Sequence, residues 1–191
     1  MIDIESVKAV CAGCSIQELC LPYGLDRSDL EQLDLIIERK RPLAGGDYAY
    51  VRGDPFRALF AVRSGVVKTF LLEADGEEHI TGFHFPGELV GLDAISSGSH
   101  ACTAQALDTT SLCEIPFEQL DSLAGQIPGL RQQLFRLMSR EIKQDEQERR
   151  NQSQAAADPR LAAFLVDMSR RFSDLGYSPR EFLLKISNQD L

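Results

Sequence analysis

The stretch ALFAVRSGVVKTFLL, residues 58–72, places two short apolar runs on either side of a Ser-Gly dipeptide. The first run ends at Arg63, and the second extends from Val66 to Leu72. Short apolar runs bounded by turn residues are typical of buried β-strands. The stretch therefore predicts a strand, a tight turn at Ser64-Gly65 and a return strand.

Glycines recur every 11 or 12 residues on both sides of this stretch. They stand at Gly53, Gly65, Gly76, Gly87 and Gly98. Turn signals at this spacing are typical of an all-β sandwich or barrel. The Asp-Gly dipeptide at 75–76 predicts another hairpin turn, and the β region is expected to extend from about Ala44 to Ile115.

Helices are predicted after the β region. A short helix is expected to begin at Pro116, and Pro128 suits the first turn of a long one. Apolar residues recur at helical spacing along the long helix, at Leu130, Leu134, Leu137, Met138 and Ile142. No apolar residue occurs from Lys143 to Gln154.

A second amphipathic helix is predicted beyond a break at residues 155–159. Its apolar face is Leu161, Phe164, Leu165, Met168 and Phe172. Residues 182–186 are then predicted to form a strand, and residues 187–191 resemble the capped start of a further helix.

Composition limits the class of protein. The 191 residues are 43% hydrophobic and 26% charged, which is ordinary for a folded domain. No apolar run is long enough for a membrane span, and the acidic start does not resemble a signal peptide, so a cytoplasmic location is expected. A net charge of −9 is unusual for a chain that binds nucleic acid by itself.

Three cysteines, Cys11, Cys14 and Cys20, form a C-x2-C-x5-C array. Three thiolates within ten residues can bind one metal centre if the segment is a loop. A tetrahedral zinc site or an iron–sulfur cluster needs a fourth ligand. Cys102, Cys113 and the three histidines are the remaining candidates, and the spacing alone leaves zinc and iron–sulfur both open.

Nine stretches of the chain match a known family. They are CAGCSIQELCLP (11–22), IIER (36–39), FAVRSG (60–65), ITGFH (80–84), ELVG (88–91), AQAL (104–107), CEIPF (113–117), LRQQL (130–134) and RLAAF (160–164). In these stretches the chain resembles the oxygen-responsive FNR regulators of the CRP–FNR superfamily. The resemblance covers nearly the whole chain.

The resemblance implies an α+β fold in four parts. Residues 1–22 would be a cysteine-rich cluster-binding arm and residues 23–126 a β-roll sensor domain like those that bind cyclic nucleotides. Residues 127–157 would form a long dimerisation helix. Residues 158–191 would begin a winged-helix DNA-binding domain, with the chain ending before its helix-turn-helix.

The resemblance also implies a function that is not enzymatic. Cys11, Cys14, Cys20 and Cys113 would hold an oxygen-labile [4Fe–4S] cluster, whose loss frees the arm and changes its packing against the long helix. Dimerisation would then shift, with Ile142 and Asp145 at the dimer interface. The implied partners are a second copy of the chain, promoter DNA and RNA polymerase, in a regulator or activator of anaerobic gene expression.

Three other functions compete with this one. A zinc-stabilised interaction module remains open. A cyclic-nucleotide receptor would use Gly87-Glu88 for the ribose, but residues 100–104 lack the arginine for its phosphate. A cupin-like enzyme would need a shared histidine site, whereas His79 and His84, five residues apart, are predicted on opposite faces of a strand. The histidines are accordingly expected on turns or the surface, and Cys102 as a small strand residue.

Two departures from the family affect assembly. The chain ends before a recognition helix, so specific DNA binding by this chain is not expected. Residues 147–152 are polar where the family carries apolar dimer contacts. This chain is therefore predicted to be mainly monomeric, although its full-length relatives form homodimers.

Overall fold

The computed structural model describes residues 11–73, 75–152, 157–181 and 186. The strands in these ranges are β1 (Glu38–Arg39), β2 (Tyr48–Tyr50), β3 (Ala58–Ser64), β4 (Val67–Leu72), β5 (Glu78–His84), β6 (Leu89–Val90), β7 (Thr103–Ala106) and β8 (Ser111–Pro116). The helices are α1 (Arg27–Ile36), α2 (Phe117–Gln126), α3 (Pro128–Gln152) and α4 (Ala157–Asp174). The predicted β region, the short helix and the long helix are thus confirmed.

The strands form two antiparallel sheets that together make a β-roll. One sheet has the order β1-β8-β3-β6 and the other β2-β7-β4-β5. The turn at 75–76 joins the paired strands β4 and β5, as predicted. The predicted return strand after Ser64 is wrong in its pairing, because β3 and β4 lie in different sheets.

Gly65 turns the chain from one sheet to the other. Its φ is +82°, which favours glycine, and an added Cβ would lie 2.4 Å from the Thr110 hydroxyl oxygen. The dipeptide therefore makes a corner of the roll instead of a hairpin turn.

One hydrophobic core joins the cysteine arm, the β-roll and the helices. It includes Cys20 and Leu21 of the arm, Leu33 of α1, and Leu59 and Ile115 of the roll. From α3 it takes Leu130, Leu134 and Leu137, all buried. The inner side of α3 therefore packs on the roll, while Phe135 and Ile142 are 61% and 59% exposed on its outer side.

Helix α4 packs against the roll through part of its predicted apolar face. Met168 is buried with Phe83 and Phe85, and Phe164 and Phe172 pack around them. Leu161 and Leu165, predicted on the same face, remain exposed.

The predicted break at 155–159 needs a correction, because α4 already begins at Ala157 and contains Pro159 in its first turn. The described ranges exclude residues 153–156, 182–185 and 187–191. Nearly all of the predicted strand at 182–186 and the predicted helix start at 187–191 therefore lie outside them.

Helix α1 was not predicted. Its start is capped by Asp26, whose carboxylate accepts a hydrogen bond from the Asp29 amide at 2.9 Å. None of the described helices has the length and apolarity needed to cross a bilayer.

Candidate metal centre

The cysteine arm has an irregular backbone, as its thiol spacing predicts. Short 3-10 helices cover Cys11–Gly13 and Gln17–Leu19. The arm rests on the β5–β6 turn at Gly87, whose φ is +95°. An added Cβ there would lie 2.7 Å from Cβ of Leu19. Only glycine therefore allows the turn and the arm to approach this closely.

The four predicted ligands line one cavity of about 30 Å³. Cys113 lies in β8 and is paired with Ala61 of β3 on one side and Arg39 of β1 on the other. The arm brings Cys11, Cys14 and Cys20 to the same cavity. Apolar residues of the arm and roll complete its lining: Ile16, Leu21, Pro22, Ile37, Ala61, Val62 and Ile115.

Cys102 is separated from this group and lines a second, larger cavity. It was expected in a strand, but it lies just before β7. Its thiol lies 3.9 Å from the Tyr50 hydroxyl and 3.8 Å from an Asp93 carboxylate oxygen. The fold therefore distinguishes Cys113 from Cys102, which the sequence spacing could not do.

The thiols line one cavity but are not grouped as tightly as the ligands of a single metal ion. Among the described residues, no three His, Cys, Asp or Glu side chains are grouped closely enough to hold a metal ion. All five cysteines are free. The donor set nevertheless fits a four-thiolate centre, since four soft ligands surround one apolar cavity. A cavity of about 30 Å³ is small for such a group, so its binding would require the arm to move.

Burial favours the neutral form of three of these thiols, those of Cys11, Cys20 and Cys113. Burial, reinforced by Asp34, raises the pKa of Cys11 to about 12. Burial also raises the pKa of Cys20 to about 12 and raises that of Cys113. Neutral buried thiols are poor nucleophiles, and a bound metal would displace their protons because its charge stabilises the thiolates.

Arg39 and Asp34 were missed by sequence reasoning, although Arg39 lies in a stretch shared with the family. The Arg39 guanidinium donates to the Cys11 sulfur at 3.5 Å and forms an ion pair with Asp34. The Asp34 carboxylate also accepts a hydrogen bond from the Cys11 amide at 3.2 Å. Although partial burial opposes it, the bonds from Arg39 and Cys11 lower the pKa of Asp34. No spacing signal in the sequence connects these two residues to the thiols.

Comparison with known proteins identifies the family. The cyclic nucleotide-binding domain model matches residues 40–126. The chain is 50% identical over 181 residues to the fumarate and nitrate reduction regulatory protein of Escherichia coli (strain K12), a match that covers 95% of this chain and 72% of that relative. The fumarate nitrate reduction regulatory protein of Klebsiella oxytoca matches to the same extent. The chain belongs to the CRP–FNR family. Its relatives are transcription regulators and not enzymes.

Solved structures support the β-roll fold of this CRP–FNR family member. FixK2 from Bradyrhizobium japonicum is similar with a TM-score of 0.65 at 24% identity, over 76% of this chain and 80% of that chain. The catabolite activator protein of Thermus thermophilus gives a TM-score of 0.57 at 23% identity, over 84% and 81%. At these identities the similarity concerns the fold alone, and it confirms the predicted α+β class.

The second cavity of the CRP–FNR chain lies between the roll and helices α3 and α4 and measures about 790 Å³. Ile142 and Asp145, the predicted dimer-interface residues, both line it, and Ile142 is at the same time 59% exposed to solvent. So does Glu88, the predicted ribose ligand of the cyclic-nucleotide alternative. The Glu88 carboxylate accepts hydrogen bonds from the Phe85 amide at 2.9 Å and from Arg171 of α4 at 3.3 Å. In this chain, therefore, Glu88 joins the roll to α4.

A β-bulge at Thr81 overturns the prediction that His79 and His84 point to opposite faces. The neighbours of Thr81, Gly82 and Ile80, pair with successive residues of β4, so Thr81 is an extra residue in β5. One extra residue shifts the alternation by one position. Both histidines consequently line the larger cavity.

Two of the histidines are also more buried than expected. His79 is exposed, but His84 is 8% exposed and lies 3.2 Å from the Thr69 hydroxyl. His100 is 4% exposed and stacks on the Tyr50 ring at a centroid distance of 3.6 Å. The expectation of a turn or surface position is therefore wrong for His84, which is buried in β5. His100 does lie outside the strands, between β6 and β7, but it is buried against Tyr50 and not on the surface.

His84 is expected to make the free energy of unfolding depend on pH. Burial, with Arg171 nearby, lowers the pKa of His84 to about 3. The unfolded chain would protonate this side chain below a pH of about 6.5, whereas the folded chain keeps it neutral. The free energy of unfolding should therefore fall by about 2 kcal/mol between pH 6.5 and pH 5 through His84 alone.

Urea unfolding of His84→Gln at both pH values measures this contribution, since glutamine does not titrate. The variant should lose less stability on acidification than the unmodified chain by about 2 kcal/mol. His79→Gln, on the same strand but exposed, is the matched control and should keep the original profile. Identical pH profiles for His84→Gln and the unmodified chain would contradict the neutral buried state.

Proposed function

We propose that this chain is the oxygen-sensing part of a cytoplasmic transcription regulator of anaerobic gene expression. In the proposal, Cys11, Cys14, Cys20 and Cys113 bind a [4Fe–4S] cluster. One observation carries it: four thiols from the arm and β8 line a single apolar cavity. The 50% identity to fumarate and nitrate reduction regulatory proteins supports the same function.

The chain's own residues have distinct parts in this function. The four thiols would bind iron as thiolates, releasing their protons on loading. The Arg39 guanidinium, 3.5 Å from the Cys11 sulfur, would offset part of the resulting negative charge. When bound, the cluster would supply a centre that oxygen oxidises. Leu21 and Cys20 sit in the core that α3 shares, so a change in the arm would alter the packing of that helix.

The outer side of α3 is the proposed dimer interface. Phe135 and Ile142 are the exposed large apolar side chains there, seven residues apart, a heptad spacing. Phe135 was not among the residues singled out from the sequence. Asp145 follows Ile142 by three residues, and two such carboxylates facing each other would repel. The proposed partners are a second copy of the chain, promoter DNA and RNA polymerase.

The proposed division of the chain follows the predicted boundaries. Residues 1–22 serve as the cluster arm, 23–126 as the sensor roll, 127–157 as the dimerisation helix and 158–191 as the start of the DNA-binding domain. The observed α3, Pro128–Gln152, and α4, Ala157–Asp174, are compatible with that division. The chain spans 72% of the length of the curated relatives.

Anaerobic reconstitution with iron and sulfide tests the proposal. We expect about four iron and four sulfide per chain, with a brown colour and a broad absorption band that bleaches in air. Zinc binding with no stable iron would support the zinc-stabilised alternative instead. Failure to bind either metal through the cysteines would contradict both.

The metal-loaded chain is predicted to be mainly monomeric at low micromolar concentration. The core already buries Leu130, Leu134 and Leu137, so few apolar side chains of α3 remain for contact with a second chain. The charged residues that follow Ile142 in the sequence offer at most ion pairs across a dimer, and exposed ion pairs contribute only about 0–1 kcal/mol each. Anaerobic sedimentation should therefore give a mass near 21.2 kDa. A mass near twice that value would mean that the polar residues 147–152 do not prevent dimer formation.

A further inference from the structure

A buried glutamine joins the cysteine arm to helix α3. Gln133 is 5% exposed, and its side-chain amide donates to the Cys20 carbonyl oxygen at 3.1 Å. The two residues are 113 positions apart in the chain. Gln133 interrupts an apolar stripe, between Leu130 on one side and Leu134 and Leu137 on the other. A buried amide in such a stripe needs a partner, because an unpaired one is costly.

We propose that Gln133 is a positioning residue that couples the cysteine arm to the outer side of α3. The coupling rests on the proposed function, in which Cys20 is a ligand. The Cys20 carbonyl belongs to the arm backbone, so any shift of Cys20 on gaining or losing a metal changes the hydrogen bond to Gln133. The Tyr23 amide also donates to this carbonyl, at 3.2 Å, but that bond lies within the arm.

Gln133 and the exposed apolar residues Phe135 and Ile142 lie on opposite sides of α3. At about 100° per residue, Ile142 lies about 180° and Phe135 about 200° around the helix from Gln133. Gln133 therefore faces the arm while Phe135 and Ile142 face outward. Because a helix moves as a rigid element, a displacement at Gln133 also changes the positions of Phe135 and Ile142.

A second contact between arm and helix is weaker. Arg136 lies over the Tyr23 ring, 4.8 Å from its centroid, but both residues are exposed. Exposed cation–π contacts contribute modestly. The buried Gln133 bond is therefore the stronger candidate for the coupling.

The test is hydrogen–deuterium exchange of the chain in its metal-free and anaerobically loaded forms. Gln133→Leu removes the donor and keeps the size of the side chain. In the metal-free form of this variant, the amides of Leu19, Cys20, Leu21 and Tyr23 should exchange roughly tenfold faster than in the unmodified chain, as expected for a lost buried hydrogen bond. Gln132→Leu, an exposed neighbour of the same type, is the matched control and should leave arm exchange unchanged.

The loaded form tests the coupling itself. Loading should change exchange along α3 in the unmodified chain and in Gln132→Leu, and that change should fall by at least half in Gln133→Leu at equal iron content. The inference is overturned if Gln133→Leu leaves the exchange of the arm amides unchanged. It is also overturned if loading changes the exchange along α3 as much in this variant as in the unmodified chain. If Gln133→Leu fails to fold, Gln133→Met serves in its place. An unmodified chain that takes up no metal overturns the proposed function and the coupling together, whereas loaded chains with identical α3 responses overturn the coupling alone.

Discussion

Serine at Cys113 is expected to lower the iron content of the anaerobically reconstituted chain from about four atoms to fewer than about one. Cys113 is the proposed ligand from the roll, and it lines the cavity formed with the arm. A serine hydroxyl is not a thiolate and does not replace one as a soft ligand. Serine at Cys11, Cys14 or Cys20 should have the same effect, because each removes one of the four donors.

Cys102→Ser is the matched control for this series. Cys102 lies outside the four-thiol cavity, near Tyr50 and Asp93, so its removal should leave about four iron atoms per chain. Iron and sulfide analysis with an absorption spectrum measures both outcomes. A Cys102→Ser chain without the cluster, beside a Cys113→Ser chain that retains it, would show that the ligand assignment is wrong.

Leucine at Arg171 is expected to lower the free energy of unfolding by about 3 kcal/mol at neutral pH. The Arg171 side chain is 9% exposed and pairs with Glu88, whose side chain is 12% exposed. It also donates to the Phe83 carbonyl at 2.8 Å and to Asp167 at 2.7 Å. Removing the guanidinium leaves the buried Glu88 carboxylate without its cation, which is why the expected loss is large.

Burial already raises the pKa of Glu88, even with Arg171 beside it. Without Arg171 that pKa should rise further, so Glu88 would be protonated as the pH falls. The deficit of Arg171→Leu relative to the unmodified chain should therefore shrink on acidification. Adding Glu88→Gln to the variant removes the unpaired charge and should recover more than half of the lost stability.

Urea denaturation of the chain and its variants measures these differences. Arg170→Leu is the matched control, since Arg170 is the exposed neighbour on α4, and it should change stability by less than about 0.5 kcal/mol. Equal stabilities for Arg171→Leu and Arg170→Leu would mean that the contact with Glu88 does not hold α4 to the roll.

Several features of the candidate site follow from local patterns in the sequence. The C-x2-C-x5-C spacing indicates a thiol-rich loop, and the observed arm is irregular at Cys11–Gly13 and Gln17–Leu19. The resemblance to FNR regulators added Cys113, which lies at the same cavity. Arg39 and Asp34 could not be predicted, because their contact with Cys11 depends on how β1 and α1 meet the arm.

Gln133 carried a signal that sequence reasoning did not use. An amide at helical spacing within the apolar stripe of Leu130, Leu134 and Leu137 indicates a buried polar group with a specific partner. The identity of that partner was not available from the pattern, since Cys20 is 113 residues away. The Arg171–Glu88 pair, 83 residues apart, had no comparable signal.

By itself the sequence determined the β region, the helices that follow it and a cysteine arm suited to soft metals, but it did not indicate α1. These properties depend on periodicity and spacing over a few residues, because the repeat of a helix or strand decides which neighbouring side chains share a face. Only the tertiary structure decided that β3 and β4 belong to different sheets, and that a bulge at Thr81 directs His79 and His84 to one cavity. It also decided the distant hydrogen-bond partners of two buried side chains. Gln133 binds the Cys20 carbonyl, and Arg171 binds the Glu88 carboxylate. Those features depend on strand pairing and packing between remote segments, because a buried polar group takes whichever partner the assembled fold brings within hydrogen-bond distance.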